Sequence, residues 1–175
     1  MKPITIYSDF DGVYNISQSD DTVTATIQTE NSEFLARKSK ITWNPEIVEL
    51  LKDLLKTDIY DFVWHTTWNH AGNIRTAANI MGLEGVETYS PISLNGGAKS
   101  RKEWTSWKAK SIVEDQAANP RPFIWIDDSA PIYWGDHVQG HSKAPSLVLI
   151  PNSKKGLCKE EILKIVDWTE EQLKK

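Results

Sequence analysis

Cysteine is almost missing from this chain: Cys158 is the only one in 175 residues. No disulfide framework and no cysteine-built zinc site can form within it, which favours a reducing compartment. Long hydrophobic runs are missing too, since no stretch approaches the roughly 20 apolar residues of a membrane span. Met1 to Phe10 reaches a carboxylate before an apolar stretch of signal-peptide length develops. Positive charge is not in excess. With 20 lysines and arginines against 24 aspartates and glutamates, the net charge is −4. A global basic field of the kind that holds DNA or RNA non-specifically is therefore excluded, although a local basic strip stays open. Internal repeats, low-complexity segments and an evident interdomain linker are absent as well. The expectation is a soluble, cytoplasmic protein without a membrane partner.

What is present is ordinary for a globular chain, with 39% hydrophobic and 25% charged residues. Its length suits one domain, residues 1–175, with a real core and a small insert. Eight tryptophans are many for this length, and they recur close to the polar motifs.

Three short apolar segments run into chemically useful residues. Ile4-Thr5-Ile6-Tyr7-Ser8 leads to Asp9-Phe10-Asp11-Gly12. Asp61-Phe62-Val63-Trp64-His65 leads to Thr66-Thr67-Trp68-Asn69, and Pro122-Phe123-Ile124-Trp125-Ile126 leads to Asp127-Asp128-Ser129. Each is strand-length and rich in β-branched and aromatic residues. Ser146 to Ile150 reads as a further buried strand, and Val86 to Tyr89 as a weaker one. Helical patterns lie between them. Asn44-Pro45 opens one, with Ile47, Val48, Leu51, Leu54 and Leu55 on one side. Others run from about His70 to Met81, from about Glu103 to Ala118, and from about Lys159 to Leu173, where Cys158 to Glu161 has capping-box spacing. Strands alternating with helices imply a parallel sheet covered on both faces, with ligands bound outside the carboxyl ends of its strands. The three polar strand ends should meet in one crevice. One segment breaks the alternation: Thr22 to Gln28 alternates with period two, Thr29 to Ser32 supplies turn residues, and Glu33 to Trp43 returns. The expectation is a β-hairpin flap inserted at about 16–43.

Asp9 and Asp11 stand two apart at a strand end, before a glycine suited to a tight turn. D-x-D-G is also a common loop sequence, but paired carboxylates are costly without a cation beside them. Oxygen donors with room for water suit Mg²⁺. A carboxylate beside a metal-bound phosphoryl group can attack phosphorus, and a second one can protonate the leaving group and later activate water. Asp127-Asp128 should reach the same sheet edge, adding two more carboxylates that would repel without a divalent ion. Thr66 offers a hydroxyl for a phosphoryl oxygen, with Thr67 as the runner-up one residue on. A positive clamp is still needed. Its candidates are Lys99, Lys102, Lys108 and Lys110, with Lys108 favoured because Trp107-Lys108 lies near the start of the helix leading to Asp127-Asp128.

These elements in this order resemble the four motifs of the haloacid-dehalogenase (HAD) superfamily: D-x-D-G, a strand-end threonine, a lysine on a later helix, and a strand ending in D-D. The resemblance spans about Ile4 to Trp168. It implies a three-layer Rossmann-like fold with a minimal cap, Asp9 as nucleophile, and Asp11 as general acid/base whose backbone carbonyl also binds Mg²⁺. It further implies that Thr66 and Lys108 orient and neutralise the phosphoryl, while Asp127 and Asp128 anchor the metal, Asp128 more directly. Thr67, Trp68 and Asn69 become candidate substrate contacts. A narrower likeness is to HAD domains of bacterial and phage proteins linked to RNA repair. It rests on Asp9 to Asn15, Val63 to Trp68, Trp107-Lys108, Trp125 to Asp128, and Gly156-Leu157 before the final helix. Tyr14 and His65 depart from that pattern, standing where smaller aliphatic residues are expected.

The remaining conspicuous residues have plainer readings. His65, His70, His137 and His141 lack a metal-ligand spacing, although His65 and His70 lie close enough to the Thr66 loop to touch substrate. Trp68, Trp104, Trp107 and Trp134 read as packing more than as base-stacking platforms. Arg37, Lys38 and Lys40 read as a solvated face, but their expected position over the crevice, with Lys154 and Lys155 nearby, makes a polyanionic substrate worth testing. The function expected is Mg²⁺-dependent phosphomonoester hydrolysis through an aspartyl phosphate, with a nucleotide or polynucleotide end as substrate. A small-molecule phosphatase or 5′-nucleotidase is the alternative within the fold. A catalytically retired binding module, for instance in a phage–host setting, is the alternative outside it. Oligomeric state is not written in the sequence.

Overall fold

The computed structural model describes residues 4–30, 36–84, 88–89 and 99–174. Its centre is a parallel sheet of five strands in the order β5-β4-β1-β6-β7. These are β1 (Ile4–Ser8), β4 (Tyr60–Trp64), β5 (Thr88–Tyr89), β6 (Phe123–Ile126) and β7 (Ser146–Leu149). Side chains alternate across it as the pleat requires. Ile4, Ile6, Phe62, Trp64, Ile124 and Ile126 enter one hydrophobic cluster, while Tyr7, Val63, Phe123 and Trp125 enter another on the opposite face.

The first face is covered by α1 (Pro45–Leu55), α2 (Asn73–Met81) and α5 (Lys159–Leu173), through Ile47, Leu51, Ile74, Met81, Ile162 and Ile165. The second is covered by α3 (Arg101–Ala118) and α4 (Ala130–His141), through Ala109, Ile112, Ala130 and Val138. This is the three-layer arrangement expected of alternating strands and helices. Local signals start the helices. Asn44 accepts from the Glu46 N–H at 2.9 Å ahead of Pro45. Ser100 accepts from the Glu103 N–H at 3.2 Å, while the Glu103 carboxylate takes the Lys99 N–H at 2.6 Å. Cys158 and Glu161 form the capping box at the start of α5. Among the described residues no helix is long and apolar enough to cross a membrane.

The structure departs from these expectations in one helix and adds another. The pattern from His70 to Met81 is not one helix: a 3-10 helix, Thr67–Gly72, precedes α2, and Gly72 divides them in the left-handed region at φ +70°. Helix α4 is the added one, and its apolar residues do not form a stripe. Ile132 and Tyr133 are exposed, and small residues such as Ala130 and Gly135 face inward instead. Of the weaker strand, Thr88 and Tyr89 form β5, and the residues before them lie outside the described ones.

The insert is a two-stranded antiparallel hairpin, β2 (Val23–Glu30) against β3 (Ala36–Trp43), with Val23 opposite Trp43 and Glu30 opposite Ala36. Of the turn and return residues, 31–35 lie outside the described ones. Ile27, Ile41 and Trp43 join the first-face core. Asn73, the first residue of α2, clamps the far end by accepting from the Glu30 N–H at 2.8 Å and donating to the Glu30 carbonyl at 2.7 Å.

Candidate active site

Chain order around β1 reverses: β4 and β5 lie to one side, β6 and β7 to the other. A crevice outside the carboxyl ends is expected at that switch point. The backbone continues the sheet pairing just past the strands, so the polar ends are fixed relative to one another. Asp9 donates to the Ile126 carbonyl at 2.9 Å, His65 to Ser8 at 2.7 Å, and Asp127 to Leu149 at 3.2 Å. After Asp9 the chain turns tightly. The Phe10 carbonyl accepts from Tyr14 at 2.9 Å and Asn15 at 3.0 Å, and Gly12 takes φ +73°.

The result is a cavity of about 320 Å³ whose walls include Asp9, Asp11, Gly12, Thr67, Lys108 and Asp128. One carboxylate oxygen from each of Asp9, Asp127 and Asp128 lies within 4.8 Å of the others. Lys108, nearly buried on α3, meets two of them: its Nζ is 2.6 Å from Asp9 Oδ2 and 2.5 Å from Asp127 Oδ2. The other Asp9 oxygen accepts from the Phe10 N–H at 2.8 Å. The other Asp127 oxygen accepts from Ser129 at 2.9 Å and Ala130 at 2.8 Å, which ties it to the start of α4.

Three carboxylates against one ammonium leave this buried group with an excess of two negative charges when all are ionised. Burial pushes the Asp9 carboxyl up to about 7 despite the opposing pull of Lys108, and Asp127 adds to the rise. Asp128 is raised by burial and then by Asp127. Burial opposes the Lys108 charge, but Asp9 and Asp127 outweigh it and hold its pKa above the ordinary lysine value. Hard oxygen donors, a charge excess of two and an open side towards the cavity fit a divalent cation such as Mg²⁺. Asp127 has an N–H or ammonium donor on each oxygen, which suits a positioning part, whereas Asp128 faces the bare α-carbon of Gly12 and the cavity.

The other expected residues divide. Asp11 is at the wall, outside the carboxylate cluster; Asn15 donates to its Oδ1 and Trp68 Nε1 to its Oδ2, both at 2.7 Å. Thr66 is fully buried, and its hydroxyl accepts from the Trp68 N–H at 3.3 Å as cap of the 3-10 helix, while Thr67 lines the cavity. The Asn69 amide donates to the Trp64 carbonyl at 2.9 Å. Among the lysines, Lys110 points away to Glu114 at 3.7 Å, and Lys102 lies over the Trp134 ring, 5.3 Å from its centre.

His65 does not reach the cavity. It is fully buried with Nε2 2.6 Å from Ser111 Oγ and its ring 5.1 Å from that of Trp107. Burial, then the Lys108 charge, lowers its pKa well below the ordinary value, so it is neutral packing. Tyr14, the other departure from the expected pattern, is also buried, its hydroxyl accepting from Ser8 at 3.2 Å.

Arg101, Trp104, Thr105 and Ser153 line the cavity and were not among the expected site residues. The first three shared a readable signal: with Lys108 they fall at positions 101, 104, 105 and 108, one face of α3. Arg37, Lys38 and Lys40, expected over the crevice, are not among the residues that line it, and β2 packs on α2 and the 3-10 helix.

The sequence profile of a family described as the HAD domain in Swiss Army Knife RNA repair proteins matches residues 5–162. The chain belongs to that family. It is therefore a HAD-type hydrolase domain, and its buried cluster of Asp9, Asp127 and Asp128 could hold a metal ion. No curated protein matches the chain.

Proposed function

We propose that the chain is a Mg²⁺-dependent phosphomonoester hydrolase that works through an aspartyl phosphate on Asp9. The observation that carries this reading is the convergence of Asp9, Asp127 and Asp128 around Lys108 at the mouth of the sheet. Asp9, Asp128 and the backbone carbonyl of Asp11 would hold the ion, with Asp127 fixing Lys108 and the start of α4. The ion would supply positive charge against the phosphoryl oxygens and keep the nearby carboxylates ionised.

The remaining chemistry falls to this chain's own groups. An Asp9 carboxylate oxygen forms a bond to phosphorus as the ester P–O bond breaks, and Asp11 gives a proton to the departing oxygen. Asp11 then takes a proton from water, the water oxygen bonds to phosphorus, and the Asp9–phosphorus bond breaks to release phosphate and restore Asp9. Lys108, beside Asp9 throughout, neutralises charge on the transferred group, and Thr67 offers a wall hydroxyl to its oxygens. Thr66 serves this arrangement from behind, by capping the turn that presents Thr67 and Trp68.

The substrate class we favour is a nucleotide or polynucleotide end. Two observations support it: the family's description ties it to RNA repair, and no described hairpin residue closes the cavity against a large molecule. The test is phosphate release with Mg²⁺ and with chelator, from an aryl phosphate, nucleoside monophosphates, and oligonucleotides with 3′- or 5′-phosphates. Metal-dependent release that disappears in Asp9→Asn is expected. Equal release from both proteins would remove the nucleophile assignment.

A further inference from the structure

A second depression adjoins the catalytic cavity, and Ser153 belongs to the walls of both. It lies along the base of the hairpin and is lined by Ser17, Thr22, Thr24, Lys40, Thr42 and Ser153. Its chemistry differs from that of the cavity: beside Asn15 and Ile16 its walls hold five hydroxyls and one ammonium, with no carboxylate. The site it adjoins gathers three carboxylates.

Two of the hydroxyls hold one another. Thr24 Oγ1 and Thr42 Oγ1 are 2.9 Å apart across the hairpin, and Asn15 accepts from the Thr42 N–H at 3.0 Å. Ser17 and Gln18 donate to the Lys154 carbonyl at 3.0 and 2.8 Å, bringing the Lys154-Lys155 turn to the rim. Four helix lysines spend their charge on a neighbouring carboxylate. Lys52, Lys56, Lys110 and Lys174 each meet a carboxylate three or four residues away. Among the described residues Lys40, Lys154 and Lys155 form no ion pair.

We infer that this groove binds the phosphodiester chain of a single-stranded nucleic acid whose phosphorylated end occupies the catalytic cavity. A run of hydroxyl donors with a few unpaired ammonium groups matches a chain that carries one negative charge per unit, and contacts of this kind give register without sequence preference. With a net charge of −4, affinity for nucleic acid has to come from a local strip such as this one. The inference rests on reading the adjoining cavity as the phosphatase site.

Two measurements separate the failure of one reading from the failure of the other. The first compares kcat and KM of wild type, Lys40→Ala and Lys40→Glu on an aryl phosphate and on a phosphorylated oligoribonucleotide. The groove predicts a KM for the oligoribonucleotide that rises several-fold in Lys40→Ala and further in Lys40→Glu. Its kcat, and both constants for the aryl phosphate, should stay unchanged. The second follows fluorescence anisotropy of the same oligoribonucleotide on Asp9→Asn protein against salt, which needs no turnover. Removing Lys40 there should lower the salt slope by about 0.7, one phosphate contact on a single strand. An unchanged oligoribonucleotide KM and salt slope would overturn the groove whatever the aryl phosphate shows. Equal losses on both substrates would overturn it too, by making Lys40 structural. A Lys40-dependent salt slope without phosphate release would keep the groove and overturn the phosphatase reading.

Discussion

Gly12 and Asp128 occupy one another's space: a Cβ built on Gly12 would stand 2.5 Å from Asp128 Oδ2. Gly12 also lies at φ +73°, where a side chain costs about 1–2 kcal/mol. The glycine of D-x-D-G thus serves the far motif as much as its own turn. Gly12→Ala should lower stability by about 1–2 kcal/mol from the backbone alone. It should also weaken Mg²⁺ binding much further by displacing Asp128. Melts with and without Mg²⁺ check this, since the variant should lose most of the metal-induced rise in Tm.

The Asp9 carboxyl, raised to about 7, makes the metal-free protein sensitive to pH. An aspartate in the unfolded chain titrates near 3.9. The folded state therefore holds this proton more tightly, and stability falls as pH rises through the window from about 4 to about 7, levelling off above it. Asp128 is raised in the same direction, so Asp9→Asn should flatten the fall without abolishing it. Denaturant midpoints in chelator at pH 5 and pH 8 check this for both proteins. Mg²⁺ requires the ionised carboxylate, so its affinity should climb by up to about tenfold per pH unit below 7 and then level.

Lys108 and Lys110 are two residues apart on α3, yet their removal should differ sharply. Lys108→Ala leaves Asp9 and Asp127 buried without their cation, a loss of about 3–5 kcal/mol in metal-free protein. Lys110→Ala removes an exposed pair with Glu114 worth about 0.5 kcal/mol or less. Activity should follow the same ranking. Excess Mg²⁺ should restore part of the Lys108→Ala stability and little of its turnover. Equal activity losses in the two variants would move the clamp elsewhere.

Trp68 and Asn15 fix Asp11 from two sides, and Asn15 also accepts from the Thr42 N–H of the hairpin. Trp68→Phe keeps most of the ring packing on Phe10 while removing one donor. It should lower kcat on a poor leaving group by roughly tenfold or more, within the range that a placed acid contributes. An activated aryl phosphate, which needs little protonation, should be nearly unaffected. A uniform drop across leaving groups would assign Trp68 to binding instead.

Legibility in the sequence followed the range of the interactions. Asp9 and Asp127-Asp128 were readable because β1 and β6 are short apolar runs that stop at carboxylates, and a parallel sheet brings such ends together. Lys108 was readable from its place near the start of the helix that leads to Asp127-Asp128, and the α3 face that it shares with Arg101 could have disclosed that arginine. Helix α4 was not readable, since Gly135 packs inward while Ile132 points to solvent. His65 looked available beside Thr66, but the alternation of β4 carries it under α3, against Trp107. The hairpin itself was evident from its period of two. Its seat was not, because two asparagines set it: Asn73 holds Glu30 at one end and Asn15 holds Thr42 at the other.

The central claim is that phosphate passes through Asp9. Asp11→Asn should allow the first transfer from an activated aryl phosphate and slow the attack by water, so that the covalent form accumulates. Rapid quenching of that variant with Mg²⁺, followed by mass spectrometry of its peptides, should find a phosphoryl group on the peptide that carries Asp9. None should appear in the Asp9→Asn/Asp11→Asn double variant. A phosphoryl group on another residue, or turnover of the aryl phosphate by Asp9→Asn, would contradict the account.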